Sequence, residues 1–141
     1  MRLSMLALVL ASLLQATPPP EPPVRTVGKG PMSAIEAPRQ VTVRSAAEWG
    51  ALWKENGASA PLPAVDFSRE MVVGVFLGTR PTAGYGVEIV RAVGNSGAFV
   101  VEYVETRPSR DTITAQVLTA PYHLAAIPKH DGVVTFKKVD K

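Results

Sequence analysis

His123 and His130 are this chain's whole stock of imidazole, and it has no cysteine. A transition-metal site needs several such ligands converging on one point. The two histidines stand too far apart for the HxxxH spacing that puts both rings on one face, and no third ligand is marked beside them. The missing cysteines remove every thiol mechanism, thiolate metal site and disulfide. A serine nucleophile would need a strained turn such as GxSxG beside a base. Neither Ser96, in Gly94-Asn95-Ser96-Gly97, nor Ser109 has that setting. Glu102 and Glu105 form a carboxylate pair with no sign of placement for acid–base work, and neither GxxxxGK[ST] nor GxGxxG occurs. The expectation is a protein that is not an enzyme and uses no metal and no cofactor.

The residues that remain are those of recognition. Gly78-Thr79-Arg80-Pro81-Thr82-Ala83-Gly84-Tyr85 is a polar stretch punctuated by Gly and Pro between two apolar runs. It is too long for a two-residue hairpin turn. A rigid scaffold displays binding residues on such a loop. Arg80, Pro81, Thr82, Gly84 and Tyr85 are the expected partner-facing set, with Tyr122 or His123 alongside. Pro81 restricts φ and stiffens the loop, Gly84 supplies a bend of positive φ, Tyr85 offers contact area with few rotatable bonds, and Arg80 suits a carboxylate. The competing reading makes the loop a structural corner with Tyr85 tucked beneath the sheet. A small-ligand or glycan site would instead use Trp49, Trp53, Tyr85 and Tyr122 as stacking surfaces.

The elements that hold this loop follow from hydropathy. Met71-Val72-Val73-Gly74-Val75-Phe76-Leu77 is a continuous apolar run, the pattern of a central strand covered on both faces. Val87 to Val93 and Ala98 to Glu105 alternate and are joined by Gly94-Asn95-Ser96-Gly97, which predicts a hairpin over 86–105. Gln40-Val41-Thr42-Val43-Arg44 is a short half-buried strand. Ser45-Ala46-Ala47-Glu48 is a capping box that opens a helix over 46–56, with Trp49, Leu52 and Trp53 on one stripe and Gly57 at its end. Thr112 to Leu118 alternates as a strand, Tyr122 to Ile127 reads as an edge strand between Pro121 and Pro128, and Val133 to Val139 closes the domain. The fold predicted is α+β: a single antiparallel sheet of about five or six strands with one packed helix. A β-sandwich is the alternative.

The ends of the chain differ from its middle. Met-Arg-Leu-Ser, an apolar stretch from Met5 to Leu14 and Gln15-Ala16 describe a secretory signal peptide over 1–16, too short to span a bilayer. Residues 17–38, rich in proline, are expected to be a polyproline spacer, leaving the domain at 39–141. The mature protein is expected to be secreted or periplasmic, with no stable membrane anchor. The formal charge of +3 is scattered, with a small excess at Lys137, Lys138 and Lys141. That is not the footprint of a nucleic-acid binder.

Taken together, Ala47-Glu48-Trp49, Val65-Asp66-Phe67, Glu70-Met71-Val72-Val73, the RPTxGY loop, Val100-Val101-Glu102-Tyr103, the TxPYHL segment Thr119 to Leu124, and Ile127-Pro128-Lys129 resemble a known family. It is the C-terminal domain of the PrcB family, secreted or lipid-anchored bacterial proteins named for an accessory subunit of a surface protease complex. The resemblance runs from about Ser45 to Val139. Ala83 stands where the family often has a second glycine, and the lipobox cysteine of many members is missing. What the resemblance implies is a protein-binding accessory or stabilising role beside a secreted or cell-surface protease, with no catalytic residues. The Pro-Thr-x-Gly-Tyr loop is also similar to those of chagasin-type peptidase inhibitors. Their further inhibitory loops are not visible here, and a helix with two tryptophans does not fit them.

Overall fold

A computed structural model describes residues 23–95 and 97–140; the expected signal peptide at 1–16 and Ser96 lie outside them. In chain order the elements are β1 (Arg25–Gly30), β2 (Arg39–Val43), α1 (Ala46–Asn56), β3 (Glu70–Phe76), β4 (Gly86–Asn95), β5 (Ala98–Thr106), β6 (Tyr122–Pro128) and β7 (Val133–Lys138). Among the described residues no helix is long and apolar enough to cross a membrane. The described residues are β-rich with one helix, but their strands form two sheets instead of one. The first has the order β1-β6-β3-β2 and the second β4-β5-β7.

The reason lies in the central run. Every residue of β3 from Met71 to Phe76 is buried, so both faces of that strand must be covered. Successive side chains point to opposite faces. Met71, Val73 and Val75 pack with Val87, Ile89, Val101 and Tyr103 of the second sheet. Val72 and Phe76 pack with Trp49, Leu52, Trp53 and Leu124 on the helix side. One sheet and one helix would have left one of these faces bare. The β4–β5 hairpin supplies the missing cover with the core face its alternation predicted.

α1 follows its sequence signals closely. The Ser45 hydroxyl accepts from the Glu48 N–H at 3.2 Å, and the Glu48 carboxylate reaches back to the Arg44 N–H at 3.4 Å. Gly57, at φ 74°, ends the helix by donating its N–H to the Lys54 carbonyl. The two indole rings lie 5.5 Å apart and tilted. Their N–H groups donate to the carbonyls of Pro63 and Ala60, which leaves no buried indole donor unpaired.

Four further expectations are corrected. Residues 25–30, assigned to the spacer, form strand β1 and pair antiparallel with β6. The prolines lie to either side of this stretch, so they leave its ladder intact. For the same reason β6 is not an edge strand: Pro121 precedes it and Pro128 closes it, while Tyr122 to Ile127 are buried between β1 and β3. β7 pairs parallel with β5, so the second sheet is mixed. Finally, Thr112 to Leu118 is not a strand. Ile113, Val117 and Leu118 are exposed there, and the alternation that suggested a strand faces no sheet.

Candidate functional site

The loop between β3 and β4 is pinned at several points between Leu77 and Ala83. The Thr79 N–H donates to the Glu36 carbonyl at 2.9 Å. Arg80 and Thr119 exchange both backbone hydrogen bonds, at 2.7 and 2.9 Å, and the Ala83 N–H donates to the Ala115 carbonyl at 3.0 Å. The Thr119 hydroxyl adds a bond to the Thr82 carbonyl at 2.9 Å. The backbone of the loop therefore borrows its order from residues 115–119, an irregular segment that can supply these partners because it is in no sheet of its own.

Gly84 is required where it stands. Its φ is +92°, and a Cβ there would lie 2.9 Å from Pro108 Cβ. Any other residue would be strained in that conformation and pushed off Pro108. Gly84→Ala is expected to cost roughly 2 kcal/mol of stability, measured by urea unfolding. A loss below about 0.5 kcal/mol, the range of an ordinary surface change, would show that the turn is loosely held.

With the backbone tied, the side chains stay partly accessible, and the Thr82 hydroxyl turns back to donate to the Ala83 carbonyl at 2.9 Å. Pro81 is exposed, while Arg80, Thr82 and Tyr85 are half-buried. The Arg80 guanidinium sits 5.8 Å from the centre of the Tyr85 ring, a cation–π contact. No acidic side chain pairs with it among the described residues. Arg80 borders a cleft of about 370 Å³ with Gln40, Leu77, Tyr103 and Glu105. The Gln40 amide donates to the Tyr103 hydroxyl there at 3.3 Å, and Lys138 stands 3.2 Å from the Glu105 carboxylate. Tyr85 borders a different cleft, of about 250 Å³, with Lys29, Pro31, Val87 and Tyr122.

The structure thus brings Arg80, Pro81, Thr82, Gly84 and Tyr85 together and separates them from His123. That histidine is 2 % exposed and lies in the seam between the sheets. Its Nδ1 accepts from the Ile89 N–H at 2.7 Å, so the ring proton sits on Nε2 and donates to the Thr26 hydroxyl at 2.8 Å. Burial, with the positive charge of Lys29 adding to it and Glu88 opposing, lowers its pKa to about 4. His123 is a neutral structural link and offers nothing to a partner. Tyr122 is buried too, its ring stacked on Phe76 with centroids 6.0 Å apart, though it also lines the cleft beside Tyr85. Both belong to an interior strand, where the sequence had suggested an edge.

Trp49 is 2 % exposed and presents no stacking face to a ligand; Trp53, at 8 %, only lines the rim of an apolar groove beside Gly28 and Gly30. Among the described residues no three His, Asp or Glu side chains are placed to hold a metal ion. Sequence reasoning missed the residues that brace the loop: Pro108, Ala115 and Thr119. Their one local signal is the Thr119-Ala120-Pro121 break, which ends any strand through 112–118.

Residues 71–128 match the family model described as PrcB C-terminal. That span starts at the central strand and runs through the pinned loop and its brace to the end of β6. No curated protein and no solved structure matches the chain. From Met71 to Pro128, the stretch that builds the central strand, the loop and its brace, the chain is similar to the PrcB C-terminal family.

Proposed function

We propose that this protein is a non-enzymatic, extracytoplasmic protein-binding module that serves as an accessory or stabilising subunit of a protease complex. The observation that carries the reading is the contrast within the loop. Its backbone is tied at Thr79, Arg80, Thr82 and Ala83, while the side chains of Arg80, Pro81 and Tyr85 remain accessible and engage no acidic group. A surface ordered in advance loses little entropy when a partner docks.

Tyr85 separates recognition from support. It belongs to neither hydrophobic core, so Tyr85→Ala is expected to lower stability by less than about 1 kcal/mol. The same variant is expected to lose capture of the partner protease when the mature protein is used as bait in the cell envelope fraction. In the complex, the wild-type chain should leave cleavage intact and slow the protease's decay. Abolished cleavage would identify an inhibitor instead. A Tyr85→Ala protein that melts early and still captures the same protease would end the binding-loop reading.

A further inference from the structure

We infer that the docking surface extends onto residues 107–118 and takes an acidic, amphipathic stretch of a protein partner. This rests on the reading of the loop as a recognition surface and names what it recognises. The segment runs antiparallel along the loop, joined through Ala83–Ala115 and Arg80–Thr119. It carries apolar side chains that the fold does not use: Ile113 is 100 % exposed, Leu118 67 % and Val117 53 %. Singly exposed apolar residues are common, but large apolar groups gathered on one irregular segment mark a contact surface.

Charge decides the partner's chemistry. The loop and the segment together hold Arg80, Arg107 and Arg110 against Asp111. Arg107 lies 3.9 Å from Glu105, a long contact, whereas Arg80 and Arg110 have no acidic partner among the described residues. Guanidinium groups beside exposed Ile and Leu fit carboxylates interleaved with apolar side chains, and they disfavour a basic or purely polar chain.

The test uses the mature full chain and a displayed library of random 12-residue peptides. Enriched peptides are expected to combine Asp or Glu with Leu, Ile or Phe. Binding of synthetic copies should fall at least about tenfold in Arg80→Glu/Arg110→Glu, at least about tenfold in Ile113→Ser/Leu118→Ser, and markedly with added salt. Melting temperatures of both variants should stay near wild type, since all four positions lie outside the cores. Neutral or basic winners, no enrichment, or winners indifferent to both double variants would overturn the inference. So would charge-dependent binding to phosphatidylglycerol vesicles in place of the peptides. The envelope capture described above reads the broader function separately. If the protease is still captured by both double variants, the accessory role stands and this surface is wrong.

Discussion

Trp49→Ala is expected to destabilise the protein by about 4 kcal/mol and to lower its melting temperature by on the order of 15 °C. Trp49 is the largest fully buried side chain and sits at the centre of the helix-side core with Leu52, Trp53, Val72 and Phe76. With no disulfide to tie the chain, α1 is held to the first sheet chiefly by this packing, beside an exposed ion pair between Arg39 of β2 and Glu55 at 3.0 Å. Removing the indole leaves a cavity against β3 and strips the Pro63 carbonyl of its 2.9 Å donor. Trp49→Phe refills most of the volume but cannot restore that bond, so its cost should be nearer 1–2 kcal/mol. Chemical unfolding of the two variants beside wild type measures both terms. An alanine variant melting within about 3 °C of wild type would mean that the helix contributes little to the fold.

Stability should fall as the pH drops from 6.5 toward 4, by on the order of 3 kcal/mol, and His123 should account for the fall. In the folded state its pKa is about 4, below the ordinary 6.5, so the folded protein binds fewer protons than the unfolded chain between those values. The stabilisation is therefore complete above pH 6.5 and is lost as the pH falls through the folded-state value. The geometry gives the cause: a proton on Nδ1 would face the Ile89 N–H it now accepts from, donor against donor, in a seam closed to water. Asp66 and Glu102 are also held below their ordinary values, by the Ser68 hydroxyl and the Arg91 guanidinium respectively, so their own contributions are lost at the acid end of the curve, in wild type and in a His123 variant alike. His123→Gln should flatten the pH dependence between 6.5 and 4, at some cost at neutral pH. Parallel stability–pH curves for wild type and His123→Gln would refute the assignment.

The central strand, the capped helix and the 86–105 hairpin were legible in the sequence because each is encoded locally. Seven apolar residues in a row at Met71 to Leu77 need cover on both sides whatever else the chain does. Ser45, Glu48 and Gly57 act within one or two helical turns of their own positions, and the Gly94–Gly97 turn joins strands that adjoin in sequence. The division into two sheets was not legible, since which cover meets which face of β3 depends on partners far along the chain. The recruitment of 25–30 as a strand and the promotion of β6 to the interior have the same origin, a pairing across about a hundred residues. Alternation in Thr112 to Leu118 was a true pattern with no neighbour to answer it. The loop's residue types suggested recognition, but its rigidity comes from Glu36, Pro108, Ala115 and Thr119, far along the chain, and the burial of His123 from the closing of two sheets over it. Local hydrogen bonds and apolar spacing act over a few residues and can be read in a line; strand partners, buried donors and exposed remainders exist only once the chain has met itself.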